Sequence, residues 1–453
     1  MAVEPNRLRM VMKFCENAFL LGVIASLALG TPALGQTLDT SPTDDDRTER
    51  KNSANITQET APAGKTLDRG SQLDLSDSFQ PKGVDLGSFV LFPVLEIGES
   101  YNSNFYASET NEEYDLSTAL SPSFYLNSNF NRHSLSVLGD FEYLFNARHP
   151  DDNQFNSNVN VHGVYDVDKD NDLVANISHA YSHEDRGSAD DAGGDKPTPT
   201  MTTGVDLGSK HKFGKNILEP QLSVTRSVFY DVDTSSGVSI NNDDRDRTKV
   251  GVSLTYSREL FPGYAWVLKT GADTIRYDTK RDDFGFNRSS VGGEVLTGVG
   301  IELTNVMRGD VLVGYMARDY EDGNLNDPMG MAVQASIHWT PSKLTIISPS
   351  ISRGMNETTL SNAASITSTT AAVTARHELA RNTVVGSTAS YSYREFDGIG
   401  RQDNIYEITG QVTHAFTPET YLRLDAGFKK RDSNARDSSY DQGVVSLTLG
   451  LRM

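Results

Sequence analysis

The sequence predicts an all-β fold: a transmembrane antiparallel up-and-down β-barrel of about 18 strands. Three observations carry this. From about residue 86, apolar and polar residues alternate with period two. The segments between the alternating runs are long and short by turns. Hydrophobic residues make up only 37% of 453 residues, and no apolar run reaches the roughly 20 residues of a membrane helix. A barrel accommodates that composition, because only its lipid face must be apolar.

The chain opens with a targeting signature. Arg7, Arg9 and Lys13 precede an apolar run from Ala18 to Leu29, and Ala33 and Gly35 supply small residues ahead of Gln36. This assigns residues 1–35 to a secretory signal peptide cleaved after Gly35. The only cysteine, Cys15, leaves with it, as suits an oxidising compartment. Residues 36–85 form a polar tail. Its stretch Ser41-Pro42-Thr43-Asp44-Asp45-Asp46 is followed by more Ser, Thr, Gln and Asp, too little apolar surface to order itself.

Residues 86–453 are the barrel. In Tyr114–Phe130, Leu116, Leu120, Phe124 and Leu126 alternate with Asp115, Ser117, Ser121 and Ser123. Leu135, Val137, Phe141, Tyr143 and Phe145 alternate with Ser136, Asp140, Glu142 and Asn146, and the last run places Val445, Leu447, Leu449 and Leu451 on one face. Long polar connectors are expected near 103–113, 147–154, 185–200, 233–246, 279–288, 321–328, 354–364, 397–403 and 432–439. Short turns are expected near 130–133, 168–171, 214–216, 258–263, 304–309, 340–343, 380–382 and 417–420. This succession gives 18 strands, an even number that returns the chain to its starting side. Short periplasmic turns and long extracellular loops, with both termini periplasmic, match outer-membrane barrels of Gram-negative-type envelopes.

An unpaired backbone group in hydrocarbon costs several kcal/mol, so such a sheet must close. A soluble β-sandwich also alternates, but it needs no strict succession of long and short connectors. Trp266 and Trp339 sit beside short turns at apolar register positions, as membrane-girdle residues do. Tyr143, Tyr181, Tyr230, Tyr393, Tyr406 and Phe428 would form the opposite girdle.

Charge and motifs exclude much else. Against 41 Lys+Arg stand 61 Asp+Glu, a net charge of -20, which disfavours nucleic acid as a partner. His179 and His183 lie roughly 13 Å apart on a strand, too far to share an ion. Asp166–Asp172 lacks the glycine and glutamate of a calcium loop. Arg308-Gly309-Asp310 reads as a turn tripeptide. With no nucleophile elbow, P-loop or HExxH, no enzymatic activity, cofactor or metal is expected. Lumen-facing charges are the better functional candidates: Asp140, Glu142, His162, Lys249, Lys269, Asp273, Glu294, Arg423 and Asp425. They either brace the interior or set ion selectivity.

The segment Gly87-Ser88-Phe89-Val90-Leu91-Phe92-Pro93-Val94-Leu95-Glu96-Ile97-Gly98-Glu99-Ser100-Tyr101-Asn102-Ser103-Asn104 resembles the first strand of the putative β-barrel porin 2 family. That family's barrels open with an aromatic, a strand proline, a glycine and a tyrosine–asparagine pair. The resemblance spans about 85–453 and implies an outer-membrane pore, with a conduit for exopolysaccharide secretion as one role. The alternative is a closed or plugged surface barrel that binds through its long acidic loops. Implied partners are outer-membrane lipid and lipopolysaccharide, the barrel-insertion machinery and polysaccharide-export components. Many such barrels end in an aromatic residue; this chain ends Leu451-Arg452-Met453.

Overall fold

The computed structural model describes residues 79–303 and 306–453, so the expected signal segment and most of the polar tail lie outside the described residues. Among the described residues there are eighteen long strands. The first nine are β1 (Phe89–Asn102), β2 (Asp115–Ser128), β3 (Ser134–Asn146), β4 (Gln154–Asp168), β5 (Asn171–His183), β6 (Pro199–Phe213), β7 (Asn216–Phe229), β8 (Arg247–Phe261) and β9 (Tyr264–Tyr277). The second nine are β10 (Ser290–Leu303), β11 (Met307–Tyr320), β12 (Met329–Ser342), β13 (Thr345–Glu357), β14 (Ser365–Ala380), β15 (Thr383–Phe396), β16 (Gln402–Ala415), β17 (Thr420–Ser433) and β18 (Tyr440–Arg452).

Each strand pairs antiparallel with its sequence neighbours, and β1 closes the sheet against β18 through a register running from Val94↔Arg452 to Asn102↔Val444. The antiparallel 18-stranded barrel is thus observed. Closure satisfies the edge groups of both terminal strands. A strand of 14 residues such as β2 is about 47 Å long. At the tilt of ~40° usual for such barrels it spans about 36 Å of height, more than a hydrocarbon core.

Period-two patterning decides which face each residue takes. Leu95, Ile97, Leu447, Leu449 and Leu451 share the outward face of the closing pair and stay exposed. Followed through the ladders, the same parity places Tyr143, Ile177, Leu207, Val252, Trp339 and Tyr406 outward as well. The outside is therefore a continuous apolar belt, a surface that only a non-aqueous surround can cover.

The connectors fall close to where the sequence places them. Differences are confined to strand ends: β8 continues to Phe261, β13 continues to Glu357, and β11 starts at Met307, which places Arg308-Gly309-Asp310 in a strand rather than a turn. Residues 79–85, the end of the expected polar tail, lie against the barrel. Phe79 packs on Val384, Ala415 and Tyr421, and Val84–Asp85 adds two residues of strand beside β1. Arg452 Nη2 donates to the Phe79 carbonyl at 2.8 Å, fixing this segment to the inner rim at the short-turn end.

The inner face is not polar throughout: Val267, Leu296, Leu312, Met316 and Ala332 form a buried cluster on β9–β12, joined by Met355. Met355 and Glu357 have outward parity on β13, yet they meet the inner faces of β9 and β11. The outer ends of β13 and β14 therefore turn into the lumen and dry out that quarter of the wall.

Candidate functional site: a narrowed mouth

The long-loop end of the barrel is crossed by the loop 184–198, which leaves β5 and returns on β6. Its root is held by Glu184, which pairs with Arg245 (Nη1–Oε2 2.9 Å). The Arg245 guanidinium in turn lies 4.1 Å over the Phe229 ring. Within the loop, Arg186 donates to the Gly194 and Asp195 carbonyls at 2.7 Å each and to Asp152 Oδ1 at 2.6 Å. One guanidinium thereby ties the loop to itself and to the turn between β3 and β4, using the forked geometry that arginine supplies.

The far contacts define the crossing. Asp185 meets Lys429 Nζ at 3.3 Å, and Arg431 Nη1 donates to the Gly187 carbonyl at 2.6 Å. Both partners are on the inner face of β17. A Cβ on Gly187 would stand 2.4 Å from the Tyr440 hydroxyl, so this close approach requires glycine. Asp190 accepts from the Thr358 hydroxyl (2.6 Å) and the Thr359 amide (3.1 Å) in the loop after β13. From β6 to β13 is seven strands of an 18-strand wall, close to the opposite side. The loop is a strap across the lumen.

Its landing point is itself rigid. Arg288, whose side chain is 1% exposed, donates to Asp282 Oδ2 (2.6 Å) and to the carbonyls of Thr358 (2.7 Å), Ala363 (2.7 Å) and Leu360 (2.9 Å). Glu357 accepts from the Tyr277 and Tyr320 hydroxyls at 3.0 and 3.4 Å and lies 3.7 Å from Arg318 Nε. In the loops, burial pushes the carboxyls of Glu184, Asp191 and Asp152 above the usual carboxylate range, an effect the nearby Arg186 or Arg245 only partly offsets.

The profile described as putative beta-barrel porin 2 matches residues 77–453. The chain belongs to that family. Membership of the porin family makes the apolar belt the lipid face of an outer-membrane β-barrel. No curated protein sequence matches the chain. Among solved structures, OccK3 (OpdO) of Pseudomonas aeruginosa has a TM-score of 0.41 at 11% identity, covering 80% of this chain and 96% of that one. OpdK from Pseudomonas aeruginosa has a TM-score of 0.40 at 10% identity, covering 80% and 99%. The FrpB iron transporter from Neisseria meningitidis has a TM-score of 0.45 at 7% identity, covering 82% of each.

In this porin-family barrel the nine candidate lumen residues lie on the face opposite the lipid belt. Lys269 Nζ stands 3.6 Å from Glu294 and donates to Gln334 Oε1 at 3.1 Å. Asp273 meets Arg318 at 2.7 Å. Arg423 bridges Asp425 (3.1 Å) and Glu96 (2.7 Å), and Glu96 also accepts from the Tyr421 hydroxyl at 2.6 Å. Glu142 accepts from Asn156 at 3.3 Å. Asp140 and His162 lie on the paired strands β3 and β4, four register positions apart, and Lys249 is on β8. Trp266 and Trp339 have outward parity near the short-turn end, and Trp266 Nε1 donates to Thr297 Oγ1 at 2.8 Å. His179 and His183 are apart, held by Thr203 and Asn156.

Sequence reasoning missed Glu96, Arg318 and Tyr421, although strand parity marks all three as inward. It also missed Arg186 and Arg288, for which no periodic signal exists. Among the described residues, no three metal-ligating side chains converge.

Proposed function

We propose that this protein is an outer-membrane channel for hydrophilic solutes, with its short turns and both termini in the periplasm and its mouth narrowed by the 184–198 strap. The observation that carries this reading is a closed wall with a mixed-charge inner face, crossed at one end by a loop that is latched rather than continuous with the wall. An 18-strand barrel is wide enough for water once nothing fills it. The protein passes its cargo and does not transform it.

The cargo class the family suggests is exopolysaccharide. One stretch of wall supports it: between Arg376 and Arg394, the middle of the inner face of β13–β15 carries Ser350, Ser352, Thr370, Thr374, Thr388 and Ser392. Thr370 bonds Ser392 at 2.8 Å and Thr374 bonds Thr388 at 3.0 Å. Such a surface offers exchangeable hydrogen bonds to a hydroxyl-rich polymer without fixing it in place.

A second reading, a plugged surface-binding barrel, is favoured by the inward turn of β13, β14 and the loop 358–364. Planar-bilayer recording separates the two. Discrete conductance is expected from the intact protein, with a several-fold rise when residues 187–195 are replaced by a short Gly-Ser link. Silence in the intact protein with conductance only in the shortened one supports the plug. Silence in both removes the channel reading. For the cargo, a deletion strain with normal secreted polysaccharide would count against export.

A further inference from the structure

The wall has one weak seam. Between β12 and β13 the register is continuous only over Val333–Ser336 against Ser350–Arg353. Pro349, which has no amide to donate, interrupts it below. Above Val333, β12 continues to pair with β11 as far as Met329, and β13 continues to pair with β14 as far as Glu357. Residues 329–332 and 354–357 thus face one another with no register pair between them. This is where β13 turns inward, so the free edge of β12 stands over the outward face of β13–β15.

The gap is a crevice of about 360 Å³. Met316 and Met329 stand on the β11–β12 side; Arg353 and Met355 of β13, with Thr367, Glu395, Asp397 and Gln402, stand on the other. Arg353 Nη1 donates to Thr369 at 2.6 Å and Nη2 reaches Glu395 at 3.5 Å. Tyr393, beside them, donates to Glu395 at 3.2 Å. Tyr393 belongs to the aromatic band near the long-loop end, and Arg353, Thr369 and Glu395 share its outward parity. This side of the crevice is therefore continuous with the outward face of the wall near the long-loop end, beside the loop 397–401.

We infer that this crevice binds the phosphorylated sugar headgroup of an outer-leaflet glycolipid. The inference rests on the outer-membrane reading, and it does not require the protein to conduct. Arg353 is the cation for a phosphate. Glu395, Gln402 and the free edge of β12 supply partners for sugar hydroxyls. The three methionines, adaptable in shape, cover the first methylenes of an acyl chain. A volume near the low end of the roughly 300–1,000 Å³ usual for ligand sites fits one headgroup unit, not a whole lipid. An open strand edge in a membrane needs polar partners, and a bound headgroup provides them.

The test is native mass spectrometry of the full-length protein titrated with Kdo2-lipid A, with dodecanoate and phosphatidylglycerol as competitors. One tightly held Kdo2-lipid A is expected, displaced by neither competitor. Arg353→Gln should weaken it about tenfold, and so should Gly330→Trp. A Cβ at position 330 meets no atom within 4 Å, and Gly330 lines the crevice, so a side chain there projects into it. Heat-modifiable mobility on gels confirms that each variant is folded. Unchanged binding in both folded variants overturns the site, and equal displacement by dodecanoate overturns the glycolipid assignment. Bilayer conductance of the same samples reports separately on the channel reading, so the two can fail independently.

Discussion

At the residue scale, buried arginines do the work of a core that a barrel lacks. Arg288 fixes three carbonyls of the 358–364 loop and neutralises Asp282, and both charged side chains are 1% exposed. Breaking such a pair strands a buried charge, at a cost of about 3–5 kcal/mol. Arg288→Met should therefore leave the barrel closed but release the loop, seen as new chymotrypsin cleavage near Leu360 in folded protein. Arg288→Lys should rescue only partly, because an ammonium cannot reach a carboxylate and three carbonyls as a planar fork does. Uncut loops in both variants would show that Arg288 is dispensable there. A second residue-scale prediction concerns the closing seam. Tyr421 lies over Gly450, where a Cβ would come within 2.0 Å of its ring, and binds Glu96. Gly450→Val should lower the unfolding temperature on heated gels by several degrees, and so should Glu96→Gln, which keeps an acceptor for Tyr421 but leaves buried Arg423 only Asp425 as a charged partner.

At the element scale, period two carries the strands and fails for everything built from loops. Leu447, Leu449 and Leu451 announce both their strand and its face, because lipid accepts no other pattern. Strand parity likewise reaches Glu294, Arg423 and Asp425 on the inner wall. It cannot reveal that Asp185 would meet Lys429, 244 residues on, nor that outward-parity Glu357 would end against Tyr277. Both depend on the tertiary path of the chain. The strap also carries a pH prediction. Glu184, Asp191 and Asp152 have carboxyls raised above their ordinary range by burial. In that window the folded loop binds more protons than the released loop, so its stability is greatest below the ordinary carboxylate range. Stability falls as pH rises through the raised values. Conductance should therefore increase several-fold between about pH 4 and pH 7. Asp191→Asn keeps the acceptor for the Gly193 amide and removes the titration. It should make the profile shallower, Glu184 and Asp152 still titrating, and an unaltered profile in that variant would show that Asp191 does not contribute.

At the scale of the whole molecule, the low hydrophobicity and the net charge of -20 have one explanation. Apolar side chains face lipid, polar ones face a lumen, and acidic residues gather at one end. The loops there include exposed Asp243 and Asp283, while much of the positive charge nearby is already paired, as Arg186 is with Asp152 and Arg245 with Glu184. A mouth of uncompensated carboxylates concentrates cations and repels anions before either reaches the mixed-sign wall. In a potassium chloride gradient across a bilayer, the reversal potential should take the sign of potassium preference. The preference should shrink as salt rises, because the screening length falls from about 10 Å at 0.1 M to about 3 Å at 1 M. Changing Asp243 and Asp283 together to asparagine should reduce it without altering single-channel conductance in concentrated salt. A chloride preference in the intact protein would mean that the wall residues Lys249, Lys269 and Arg423 govern permeation and the acidic mouth does not.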